Sequence, residues 1–133
     1  PSLFDNVVLI NAFLDVYATL TNSELFLTPH EWDEYGNPLE DVEIDRLIKS
    51  YCPVSNMRKN ESAPRTLVFG TVDDENVPYW NAAIFAKKLR DFVDDKDKVS
   101  LHIKDGGKHQ LVSRRIQVAP LELAYILQEH TKQ

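Results

Sequence analysis

Three runs of β-branched and aromatic residues punctuate this chain: Val7-Val8-Leu9-Ile10-Asn11-Ala12-Phe13, Thr66-Leu67-Val68-Phe69-Gly70-Thr71-Val72 and Val99-Ser100-Leu101-His102-Ile103. The first is a continuous apolar run, the pattern of a strand covered on both faces rather than one. Together the runs predict parallel strands over about 6–13, 66–72 and 98–104. Between them the spacing of apolar residues changes to three and four. Thr28-Pro29 followed by His30-Glu31-Trp32-Asp33-Glu34-Tyr35 places a cap residue, a proline at the first helical position and acids in the first turn, and Gly36-Asn37-Pro38 stops that helix. Ile44, Leu47 and Ile48 predict a second helix over 42–51, ended by Pro53. Residues 54–64 read as a polar surface loop. Ala82, Phe85, Ala86, Leu89, Phe92 and Val93 form the stripe of a helix laid on a sheet, and Leu121, Leu123, Ala124, Ile126 and Leu127 predict a last helix. Residues 94–98 are a charged turn. The order β-α-α-β-α-β-α predicts an α/β fold, a parallel sheet with right-handed crossovers.

Composition narrows the partners. A chain of 133 residues fits one domain, and 43% hydrophobic with 27% charged residues is ordinary for a globular one. Its 15 Lys plus Arg against 21 Asp plus Glu, a net charge of -6, oppose binding to nucleic acid or an anionic membrane. The lone Cys52 makes no internal disulfide, which points to the cytoplasm. The apolar stretch from Val7 to Leu20 is broken by Asn11 and Asp15 and is too short to span a bilayer. Asn60-Glu61-Ser62 matches a glycosylation sequon, a short pattern that arises by chance. His30-Glu31 has no second histidine four residues on, so it is no zinc helix. No metal or organic cofactor is expected.

In an open α/β sheet the ligand crevice lies beyond the carboxyl ends of the strands. The second predicted strand ends in Asp73-Asp74 and the third in Asp105-Gly106-Gly107-Lys108-His109, so an acid and a histidine face one crevice. That is the order of the last two members of a Ser-Asp-His triad in an α/β-hydrolase. From these residue types alone, a capping or solvated carboxylate and a surface histidine stay open. So does an open-sheet receiver whose Asp73-Asp74 pair holds Mg²⁺, with Lys104 at a later strand end.

The string from Leu67 through Asp73-Asp74-Glu75-Asn76-Val77-Pro78-Tyr79-Trp80, continued by Ala86-Lys87-Lys88-Leu89-Arg90 and by Gly106-Gly107-Lys108-His109, resembles the catalytic-domain C-terminus of the prolyl oligopeptidase family. Phe13-Leu14-Asp15-Val16, Glu31 to Pro38 and Ile48 to Pro53 extend the resemblance over nearly the whole chain. Its nearest branches are oligopeptidase B and the prolyl endopeptidase-like proteins. The resemblance implies an α/β-hydrolase fold and a triad in which Asp74 is the acid, set by its distance before Val77 and Tyr79-Trp80, and His109 the base. Glu31 and Asp33 match acids that help bind a basic P1 side chain in the oligopeptidase B type, which implies cleavage of short peptides after Lys or Arg. Asn76 stands where many members carry an Arg that holds the peptide, and Lys108 and Gln110 flank His109 where many peptidase members have Gly. The prolyl endopeptidase-like branch tolerates such changes, and it is associated with esterase or thioesterase activity and with non-catalytic interaction roles.

No serine of this chain, at 2, 23, 50, 55, 62, 100 or 113, stands in a Gly-x-Ser-x-Gly elbow. The resemblance therefore implies that 1–133 is the C-terminal portion of a catalytic domain whose nucleophile and β-propeller lie elsewhere, inactive when alone. The expected partners are a short peptide or ester substrate and the missing N-terminal part of the domain. In that part's absence, the apolar strand at 7–13 would be an exposed edge prone to self-association.

Overall fold

The computed structural model describes residues 3–59, 63–106, 109 and 111–127. The sequon at 60–62 and residues 107, 108 and 110 lie outside the described residues. Strands β1 (Asn6–Ile10), β2 (Arg65–Thr71) and β3 (Val99–Lys104) pair in parallel in the order β1-β2-β3, the expected α/β sheet. The register sets Leu9 beside Val68 and Val68 beside Leu101. From Thr66 to Thr71 the central strand is buried throughout, as its unbroken apolar run requires, whereas β1 is only half-buried at the edge. The first strand is shorter than its pattern predicts. Asn11 takes a left-handed backbone, φ 45°, which ends the extended run although its N–H still reaches the Phe69 carbonyl at 2.9 Å.

Six helices of four or more residues among those described would crowd a sheet this small if all were long, but two are little more than single turns. Helix α1 (Val16–Leu20), a short element outside those the periodicity predicts, opens where the Asp15 carboxylate accepts from the Ala18 N–H at 3.4 Å. Helix α2 (Thr28–Tyr35) has the expected bounds and the expected stop at Gly36, whose φ of 84° suits glycine and whose absent Cβ would press on Ile44 at 2.9 Å. Thr28 is not its cap. Leu27 holds that position without a side-chain bond, and the buried Thr28 hydroxyl donates instead to the Thr19 carbonyl at 2.9 Å. Helix α3 (Val42–Tyr51) starts where Asp41 accepts from the N–H groups of Glu43 and Ile44 at 2.8 and 3.3 Å. Its Ile48 is fully buried, but Leu47, expected in the stripe, faces solvent. Helix α4 (Pro53–Asn56) occupies the start of the expected loop.

Helix α5 (Trp80–Phe92) buries Ala82 and Ala86 against the sheet. It comes close because β2 has Gly70 there: a Cβ would sit 2.9 Å from Ile103 and 3.1 Å from Ala82. A short 3₁₀ turn, Lys96–Lys98, leads into β3, and α6 (Leu111–Leu127) begins well before its predicted stripe. Tyr125 of α6 donates to the Lys98 carbonyl at 3.0 Å, with the Arg65 guanidinium over its ring at 5.0 Å. Val68, Ile48, Cys52 and Leu20 belong to one buried cluster between sheet and helices. Each such side chain contributes roughly 1.5–3 kcal/mol by leaving water. Among the described residues no helix is long and apolar enough to cross a membrane.

Candidate active site

The crevice forms where β2 ends. After Thr71 the chain turns through exposed Val72 and Asp73 and delivers Asp74 back into the protein, where its side chain is fully buried. A buried carboxylate is tolerated only when hydrogen bonds replace its water. Oδ1 accepts from the backbone N–H groups of Asn76 and Val77, both at 3.0 Å, the short polar turn that an aspartate makes with its own backbone. Asn11, at the end of β1, donates through Nδ2 to Oδ2. Burial pushes the Asp74 carboxyl upward, and the Val77 N–H, His109, Asn11 and the Asn76 N–H together overcome it and hold the group below its ordinary value.

His109 lies 35 residues beyond Asp74 and its Nδ1 stands 2.9 and 2.8 Å from the two carboxylate oxygens. With Asp74 ionised, Nδ1 carries the proton and donates it, so the neutral ring has its lone pair on Nε2. The histidine side chain is 35% exposed, against 0% for its partner. One end of the pair is locked in protein and the other is open to the crevice.

A cleft of about 380 Å³ runs over this pair. Asp74, His109, Asn76 and Glu31 all line it, with Phe13 and Trp80 among its apolar walls. Asp33 is exposed on α2 and is not among the lining residues. The α2 wall is tied in place by Thr28 and by the Trp32 indole, which donates to the Leu20 carbonyl at 2.9 Å. Beneath it the fully buried Asn81, in the first turn of α5, accepts from the N–H groups of Leu14 and Asp15 at 3.2 and 2.6 Å and donates to Thr19 at 3.2 Å. No group of three or more His, Cys, Asp or Glu that could hold a metal ion occurs among the described residues, Asp73 and Asp74 included.

Sequence reasoning missed Asn11 and Asn81. An asparagine inside an apolar run carries one local signal, its tolerance of left-handed backbone; nothing local shows what its amide will meet.

The model of the prolyl oligopeptidase family of peptidases matches residues 1–133. A prolyl endopeptidase-like protein of Xenopus laevis is 40% identical over 90 residues, 68% of this chain and 13% of that protein. Its counterpart in Rattus norvegicus is 34% identical over 119 residues, 82% of this chain and 16% of that one. The solved oligopeptidase B of Leishmania major superposes with a TM-score of 0.85 at 28% identity, over 96% of this chain and 18% of its own length. The chain thus spans about a sixth of the length of the proteins it matches. With a family match from end to end and relatives above 30% identity over most of its length, this chain belongs to the prolyl oligopeptidase family, and its sheet is part of an α/β-hydrolase fold.

Proposed function

We propose that this chain supplies the acid and the base of a Ser-Asp-His relay in a serine hydrolase, with the serine contributed by polypeptide outside these 133 residues. The observation that carries the reading is the approach of His109 Nδ1 to both oxygens of buried Asp74, at 2.9 and 2.8 Å. In that relay Nε2 takes the proton of the attacking serine hydroxyl as its oxygen bonds the substrate carbonyl carbon, then returns it to the leaving group as the acyl-enzyme forms. Asp74 keeps the ring in the right tautomer and stabilises the imidazolium. No serine lines the cleft among the described residues, which supports an outside nucleophile. It also supports reading 1–133 as the C-terminal portion of a catalytic domain, with the edge of β1 as the place where the rest of the sheet pairs.

The substrate reading is a short peptide with a cationic side chain, cut after Lys or Arg. Glu31 lines the cleft, and a carboxylate there supports a cationic side chain in the substrate. Glu31 carries this reading more directly than Asp33, which lies outside the lining. Asn76, neutral in the cleft, favours a second reading, an ester or thioester substrate that needs no cationic grip on a peptide backbone.

The test is fluorophosphonate labelling of the complete polypeptide that carries Asp74 and His109. One serine outside 1–133 labels, and His109→Ala and Asp74→Asn slow that labelling about 10⁴-fold. Unchanged labelling in both variants overturns the relay. Glu31→Gln lowers kcat/KM for Lys and Arg substrates relative to neutral isosteres; an equal loss on both removes Glu31 from the specificity reading.

A further inference from the structure

We infer that Asn11 is a positioning residue for the relay: its side-chain amide holds the Asp74 carboxylate in the plane that His109 meets, an inference that rests on the relay reading above. Asn11 is buried, 8% exposed, and it is the one non-glycine residue with positive φ among those described. After glycine, asparagine is among the residue types that best tolerate that conformation, since its short polar side chain bonds locally. The conformation has a use here. The Asn11 N–H completes the β1–β2 ladder at the Phe69 carbonyl, 2.9 Å away, and the left-handed turn then swings the side chain across the end of β2. There the Thr71 hydroxyl, itself 1% exposed, donates to the Asn11 carbonyl oxygen at 3.3 Å. Thr71 Oγ1 is also 3.3 Å from the amide nitrogen, so it is the ionised carboxylate, which only accepts, that requires Nδ2 rather than the amide oxygen at Asp74 Oδ2.

A carboxylate can rotate about its Cβ–Cγ bond unless it is held at both oxygens. The backbone bonds from Asn76 and Val77 hold Oδ1 alone, and they come from the same turn as Asp74. Asn11 reaches Oδ2 from a different strand, 63 residues away in sequence. Asn11 thus adds a hold on Oδ2 to the backbone's hold on Oδ1, and His109 Nδ1 sits opposite both oxygens. The amide is also neutral, so it favours the ionised carboxylate without cancelling the charge that steadies the imidazolium. The titratable groups lining the same cleft are Asp74, Glu31, Glu75 and His109.

The complete polypeptide with Asn11→Gly and, separately, Asn11→Asp tests this. Glycine keeps the left-handed backbone and removes the amide, so kcat falls about 10- to 100-fold while KM stays close to the parent's; the unfolding midpoint falls as well, because buried Asp74 and Thr71 each lose a partner. Aspartate keeps the shape and sets a second carboxyl against Oδ2; two buried carboxyls in contact share one proton, so the kcat/KM profile gains a titration that the parent lacks, with activity falling as that proton leaves. Parent kcat and the parent pH profile in both variants, with Asp74→Asn and His109→Ala inactive, overturn the positioning role and leave Asn11 a structural residue. If Asp74→Asn and His109→Ala keep activity, the relay reading fails and this inference falls with it.

Discussion

The layer between sheet and helices and the crevice at the strand ends share the same central strand, yet their buried atoms are held by different physics. In the layer, Val68, Ile48 and Ala86 are each 0% exposed and make no hydrogen bonds through their side chains. Their burial is non-directional: it stabilises the fold in proportion to area and sets positions only through close packing. In the crevice, Asp74, Asn11, Thr71 and Asn81 are buried to a similar degree, and every one uses its polar atoms on partners from another segment. Each of those bonds adds little net free energy, but leaving a partner unmade is costly, so the network admits few arrangements. The comparison teaches that the layer supplies stability and the crevice supplies geometry.

The sharpest way to break that division is to exchange the readouts. Asp74→Asn costs about 10⁴-fold in activity of the complete polypeptide at neutral pH, with far-UV and near-UV circular dichroism unchanged. A comparable loss of the folded signal would place Asp74 on the stability side. Ile48→Ala opens a cavity under α3 and lowers the unfolding free energy in urea by about 2–5 kcal/mol, while the surviving folded enzyme keeps its pH profile. Asp41→Ala removes the α3 cap at the far side of the layer, lowers stability by about 1 kcal/mol and leaves kcat untouched.

Acid titration separates the two regions more finely. The folded-state value of Asp74 is depressed below its ordinary 3.8, so the ionised carboxylate contributes stability above that pH, and the contribution is lost as pH falls through the folded value. Acid unfolding followed by tryptophan fluorescence is therefore less steep below about pH 4 in Asp74→Asn than in the parent, and Ile48→Ala shifts the whole curve without changing that slope. An unchanged slope in Asp74→Asn would mean that the crevice network does not couple Asp74 ionisation to folding. The smallest effect is expected at Lys87→Met on the outer face of α5: its 2.6 Å pair with Asp91 is exposed, and the unfolding midpoint should not move measurably.

Much of the architecture was legible because it is local. Continuous apolar runs mark β2 and β3, the stripe from Ala82 to Val93 marks α5, and Gly36 marks the end of α2, each through periodicity or turn chemistry within a few residues. The failures were local signals overridden at longer range. Thr28 has the composition of a cap and serves as a tether, because the Thr19 carbonyl lies within reach across the α1–α2 turn. Leu47 fits the α3 stripe by spacing but lies on its outer side. Asp33 shares a helix with Glu31, yet only Glu31 lines the cleft, since residues two apart on a helix do not share a face.

Asp74 and His109, and their pairing, could be named from the chain through their strand ends and the family's motifs, but neither the approach of Nδ1 to both carboxylate oxygens nor the part played by Asn11 could. What the sequence by itself determined was the set of elements, their order and the residue types at each strand terminus, because propensity, periodicity and turn chemistry act over neighbouring residues. What only the tertiary structure decided was the meeting of Asn11, Thr71, Asp74 and His109 at one crevice. Asn11 and His109 reach Asp74 from 63 residues before it and 35 residues after it. Strand register and the close seat of α5 over Gly70 set those separations, and both are properties of the packed sheet rather than of any stretch of chain.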